Sequence, residues 1–106
     1  MPYDLRAGHQ TYWRRFGIGS RPTILLHCSL AHSGAWVGLA EEMSPELQMT
    51  AFDLPGHGRS ADWDGVADYQ YLSTQIAASF ITEPVHLIGH SFGATVALRL
   101  AAEQPQ

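Results

Sequence analysis

The chain contains no lysine; its six cations are all arginine. This removes Schiff-base chemistry and the lysine of a phosphate-binding P-loop. Cysteine occurs once, at Cys28, so no internal disulfide can form, and a reducing cytoplasm is the expected compartment. No apolar run approaches the ~18 residues that cross a bilayer. The opening MPYDLRAGHQ lacks the charged segment and apolar stretch of a secretory signal. The net charge is −4, with no basic stripe, which argues against a nucleic-acid partner. What remains is a chain of 106 residues, 45% of them hydrophobic, enough for one small globular domain and not for two.

Repeats, linkers and low-complexity segments are also missing, and the elements alternate. Gln10 to Phe16 reads as a strand that enters a hairpin through the turn signal Gly17-Ile18-Gly19-Ser20. "TILLH" (Thr23 to His27) is a continuous apolar run, as expected of a strand buried on both faces. Ser33 has the character of an N-cap, with Trp36, Leu39, Ala40 and Met43 at helical spacing behind it and Pro45 just beyond. "MTAFDL" (Met49 to Leu54) reads as the next strand, and Pro55 to Gly65 as a loop. Asp68 is placed to cap a second helix with Tyr69, Leu72, Ile76 and Phe80 on one face. "VHLIG" (Val85 to Gly89) is a third buried strand, followed by a helix over Ala94 to Gln104 with Ala94, Ala97 and Ala101 on one side. This order predicts an α/β fold: a mostly parallel sheet covered by helices on both faces, with ligands gathered at the carboxyl ends of the strands. "HCSLAH", "DLPGHGRS" and "GHSFG" all fall at those ends.

Gly89-His90-Ser91-Phe92-Gly93 has the pattern G-x-S-x-G between a buried strand and a helix. A sharp strand-to-helix turn there forces the serine into strained torsions and lifts its hydroxyl clear of the sheet. Side chains at the flanking positions would collide with the neighbouring strand and helix. The turn also sets Ser91 at a helix N-terminus, where free N–H groups favour a developing anion, and the Phe92 N–H is one natural donor.

Together, "LLHCSLAHSGAW", "FDLPGHGRS" and "LIGHSFGA", in this order, resemble the N-terminal part of the α/β-hydrolase fold of the esterase and lipase type. The resemblance covers about Tyr12 to Gln104. It implies that the loop after the first buried strand supplies a second oxyanion N–H. The family's His-Gly-x-x falls on His27-Cys28-Ser29-Leu30, so Ser29 is the first choice and Leu30 the second. Cys28 stands where the family has glycine; it is read as shaping the backbone, not as a nucleophile. Asp53 is read as accepting backbone N–H bonds, and His27, His57 and His90 as structural. Gly56 to Ala61 also matches a loose dinucleotide signature, but no amphipathic helix follows it directly. His86 and His90 are four apart on a strand and its turn, not on a helix, so no metal site is expected.

The resemblance implies a serine hydrolase acting on a carboxylic ester, thioester or lactone through an acyl-enzyme on Ser91, without metal or organic cofactor. Its partner is a small ester-like molecule, not a nucleic acid or a membrane. Acyl transfer or carbon–carbon bond hydrolysis on the same scaffold is an alternative, as is a non-catalytic protein that keeps the turn as architecture. Fifteen residues follow Ser91, with no histidine and no aspartate; Glu103 is their only acid. In this fold the acid and the histidine follow the serine. Residues 1–106 are therefore expected to be the N-terminal part of a single hydrolase domain, with an open sheet edge at "VHLIG".

Overall fold

The computed structural model describes residues 3–28, 31–66 and 68–103. It contains strands β1 (Tyr3–Arg6), β2 (His9–Phe16), β3 (Arg21–Leu26), β4 (Leu47–Phe52) and β5 (His86–Gly89). The helices are α1 (Val37–Met43), α2 (Tyr69–Ala78) and α3 (Phe92–Glu103), with a short 3-10 turn, Ser33–Trp36, leading into α1. The strands form one sheet in the order β1-β2-β4-β3-β5.

Its centre is the expected parallel layer. β3 lies between β4 and β5, with Thr23 opposite Met49 on one side and His86 on the other. The apolar run in β3 serves both faces. Ile24 and Leu26 join Phe52, Leu54, Ile76, Val96 and Leu100 in a core under α2 and α3. Leu25 points the other way, with Met49, Ala51 and Ala40 under α1. Alternate side chains of a strand face opposite sides, so a strand covered on both sides must be apolar throughout.

An antiparallel hairpin extends this layer. β2 runs against β4, with Trp13 opposite Phe52, and β1 runs against β2, with Tyr3 opposite Tyr12. The hairpin is therefore not the one expected at Gly17 to Ser20. That segment crosses the link between α1 and β4, where the Ile18 and Gly19 N–H groups donate to the Ser44 carbonyl at 3.0 and 3.1 Å and Gly19 also reaches the Leu47 carbonyl at 3.2 Å. The actual reversal is at Ala7 and Gly8, both at positive φ (51° and 79°), as a tight hairpin turn requires. Arg6 fastens the hairpin to the end of α2: Nη1 donates to the Ser79 carbonyl at 3.2 Å, and the guanidinium lies 4.1 Å from the Phe80 ring centre.

Several boundaries differ from the sequence reading. The side-chain cap here is His32, at the start of the 3-10 turn, whose Nδ1 accepts the Gly34 N–H at 3.0 Å; Ser33 is buried and used elsewhere, and α1 itself begins after Trp36 with no side-chain cap. β4 begins at Leu47, two residues earlier than expected. Leu39 is exposed, while Trp36 and Met43 pack on the core. β5 is half-buried, not fully buried, because it forms the edge of the sheet. Asp68 caps α2 as expected, accepting the Tyr71 N–H at 2.9 Å. Tyr69, Leu72, Ile76 and Phe80 all meet the same core. Among the described residues, no helix is long and apolar enough to cross a membrane.

Candidate active site

The loops after β3, β4 and β5 converge at the carboxyl end of the parallel strands. Ser91 sits at the junction of β5 and α3 with φ +56°, a left-handed torsion that non-glycine residues rarely adopt. Its side chain is exposed. The flanking glycines make this turn possible. A Cβ on Gly89 would lie 2.5 Å from the Gly93 carbonyl oxygen and 2.7 Å from Ala94 Cα. A Cβ on Gly93 would lie 2.6 Å from the Leu26 carbonyl carbon and 2.7 Å from the His27 oxygen. Real Cβ atoms do not approach backbone so closely, so α3 can start against the end of β3 only if both positions are glycine. The His90 N–H donates to the Leu26 carbonyl at 3.0 Å, which seals the turn to β3. The Phe92 N–H lies in the first turn of α3 and has no acceptor within the helix.

The turn can therefore present a hydroxyl beside a free backbone donor, as nucleophilic attack on a carbonyl needs. The other two donor candidates, Ser29 and Leu30, lie outside the described residues. Next to them, Cys28 is half-buried with a free thiol. Its carbonyl accepts the Ala31 N–H at 3.2 Å.

Two of the three histidines nearest the site, His27 and His57, are committed to backbone. His27 is buried: Nδ1 donates to the Cys28 carbonyl at 2.7 Å and Nε2 accepts the Leu54 N–H at 3.0 Å. This pattern fixes the neutral ring with its proton on Nδ1. Burial holds the His27 pKa below its ordinary value, against the opposing pull of the Cys28 carbonyl bond; His57 and His32 lower it further, and Asp53 raises it. His57 Nδ1 faces the Pro55 carbonyl at 3.0 Å and the Tyr69 hydroxyl at 3.1 Å. His90 is exposed, and no hydrogen bond joins it to Ser91. None of the three is arranged as a base for Ser91.

The loop after β4 is a knot of backbone bonds centred on Asp53. One carboxylate oxygen accepts the Ser33 N–H at 2.6 Å and the other the Arg59 N–H at 2.9 Å. Ser60 Oγ donates to the Asp53 carbonyl at 2.5 Å and accepts the Tyr12 N–H at 3.0 Å, while Ser33 Oγ accepts from Arg14 Nε at 3.0 Å. The loop runs on to α2 at Tyr69, so its glycines do not open a helix as a dinucleotide signature would. Among the described residues, no three or more His, Cys, Asp or Glu side chains gather as metal ligands.

Tyr69 has a role the sequence reading missed. Its hydroxyl donates to the Pro55 carbonyl at 2.6 Å, and its ring meets those of Phe92 (5.5 Å), Trp63 (5.4 Å) and His57 (6.4 Å). Burial pushes its pKa up to about 12. Helical periodicity marks such a tyrosine only as apolar; the hint was its position one residue after a capping aspartate, at the strand ends.

Comparison with known proteins gives this geometry a context. Pimeloyl-(acyl-carrier protein) methyl ester esterase of Xanthomonas oryzae pv. oryzae is 39% identical over 90 residues, which are 84% of this chain and 35% of that protein. The protein of the same description from Yersinia pseudotuberculosis is 32% identical over 97 residues, 92% of this chain and 37% of its own length. The chain thus spans little more than a third of these relatives. An epoxide hydrolase from Vigna radiata superposes with a TM-score of 0.88 over 97% of this chain and 34% of its own, at 20% identity, a likeness of fold alone. A family model for the alpha/beta hydrolase family matches residues 23–105. A match over most of the chain, on a sheet whose strand-to-helix turn holds a serine between two glycines, establishes that the chain belongs to the alpha/beta hydrolase family.

Proposed function

We propose that the complete protein hydrolyses a carboxylic ester, thioester or lactone, with Ser91 as its nucleophile. The observation that carries this reading is the exposed Ser91 at φ +56°, held between two glycines that can only be glycine. The methyl ester esterases among its relatives support an ester as substrate and make an acyl methyl ester the first class to assay.

In this reading a histidine supplied by the complete protein takes the proton from Ser91 Oγ as the oxygen attacks the substrate carbonyl. The carbonyl electron pair moves to oxygen, and the oxyanion is met by the Phe92 N–H and by that of Ser29, or of Leu30. Collapse of the tetrahedral intermediate expels the alcohol or thiol, which takes the proton from the histidine and leaves an acyl ester on Ser91. Water, deprotonated by the same base, repeats the sequence and frees the acid. The backbone donors contribute most where charge develops, because they are fixed before the reaction begins.

The test is Ser91→Ala in the complete protein. A fluorophosphonate probe should label the wild type and not the variant, and ester turnover should fall by roughly three or more orders of magnitude. Turnover that survives the substitution undiminished would end the assignment.

A further inference from the structure

Ser91 is held at φ +56°, a strained torsion that persists only where the surroundings fix it. On the side of β3 the turn is tied by backbone. The His90 N–H donates to the Leu26 carbonyl, and Gly93 lies against the main chain of Leu26 and His27. A second tie comes from α2. Phe92 is the first residue of α3 and Tyr69 the first of α2, and their rings lie 5.5 Å apart. At the next residue of α2, Gln70 Oε1 accepts from Arg99 Nη1 of α3 at 3.2 Å, so a polar contact also registers the start of α2 on α3.

Tyr69 is itself fastened at its far end. Its hydroxyl donates to the Pro55 carbonyl at 2.6 Å, in the loop after β4, and stands 3.1 Å from His57 Nδ1. The Trp63 ring, from the same loop, meets it edge-on at 5.4 Å. Packing alone does not call for the hydroxyl. Phenylalanine would fill the space of the ring with no polar atom to satisfy, and the Pro55 carbonyl would still face His57 Nδ1 at 3.0 Å. What the hydroxyl adds is direction. Ring contacts let an aromatic side chain tilt and slide, whereas a short hydrogen bond to a main-chain carbonyl fixes where the ring ends.

We propose that Tyr69 is a positioning residue for the nucleophile turn: its hydroxyl, bonded to Pro55, sets the ring against which Phe92 packs, and Phe92 opens α3 directly after Ser91. The inference rests on the reading of Ser91 as nucleophile and adds a residue to it. Tyr69 acts through Phe92, not on the substrate. A displacement of about 1 Å in a reacting geometry can cost about a hundredfold in rate, so a smaller tilt of this turn is read in the rate and not in substrate affinity.

The experiment uses the complete protein, labelled for amide resonances, and Tyr69→Phe, which keeps the ring and removes the hydroxyl. In the variant, kcat for a short-chain ester should fall about tenfold with KM unchanged, and fluorophosphonate labelling of Ser91 should slow in parallel. The amide signals of Ser91 and Phe92 should shift. Thr74→Val is the control, since it removes another buried hydroxyl of α2, one that donates to the Gln70 carbonyl within the helix. It should leave kcat and both amide signals as in the wild type. Unchanged kcat in Tyr69→Phe overturns the inference, as does an equal fall in Thr74→Val, which would make the effect one of helix stability. Wild-type turnover that survives Ser91→Ala would instead sink the hydrolase reading, and the Ser91 and Phe92 amide signals in Tyr69→Phe would then decide by themselves whether Tyr69 sets the turn.

Discussion

His27 shows how much one side chain can set. It is buried and neutral, with both ring nitrogens engaged. In the unfolded chain it titrates near the ordinary histidine value of about 6.5. Its folded pKa is lower, so between the two values the unfolded chain binds more protons than the folded one. Stability therefore rises with pH through this window and levels off above it. The expected result is a urea midpoint that is flat above neutrality and falls as pH drops below about 6.5, with the His27 share of that fall absent in His27→Gln. A wild type and variant with parallel pH profiles would show that the buried ring is not what makes the fold acid-sensitive. Some residues on this scale were legible from composition and position. Asp68 announces a cap, and Ser91 announces its turn through the glycines beside it. His32 and Tyr69 were not, because histidine is not among the favoured capping residues and a tyrosine on an apolar helical face looks like packing until its hydroxyl is placed.

Among the elements, α3 is the most constrained, since it starts where its second residue, Gly93, touches the backbone of β3. Gly93→Ala in the complete protein should cost at least about 2 kcal/mol of folding stability, because the colliding atoms are main chain and cannot rotate away. An unchanged denaturation midpoint would mean that α3 stands further from β3 than described. The parallel core could be read from the sequence because Ile24, Leu25 and Leu26 are apolar in succession, as a short strand covered on both faces requires. The hairpin could not. Gly17 to Ser20 has the composition of a reversal, but β4, remote in sequence, occupies the place beside β2. The true reversal contains Ala7, which is not a residue that advertises positive φ. The open edge at β5 follows from the family resemblance, which leaves no further strand to pair with it among these residues, but the apolar pattern of "VHLIG", like that of β3, suggests full burial, and the edge position leaves the strand half-buried.

For the molecule as a whole, the sheet ends at β5 among the described residues, and the strand offers its outer backbone groups to any partner. The family's larger members continue well past the length matched here. Produced alone, residues 1–106 should associate or unfold at low denaturant and should lack Ser91-dependent esterase activity, because His27 and His57 are tied to backbone and small domains have little stability to spare. Light scattering, a melting curve and a short-chain ester panel test this. A monomer with a cooperative transition and turnover lost in Ser91→Ala would point to a base within these residues. The placement of β3 between β4 and β5 also has a consequence in time. During synthesis β1 and β2 can close on each other almost at once. Thr23, however, must wait for Met49 and then for His86 before both flanks of its strand are met. The most apolar segment of the chain is thus made early and covered late, so the nascent protein passes through an interval in which its own centre is its stickiest surface, and that interval lengthens whenever translation slows between Met49 and His86.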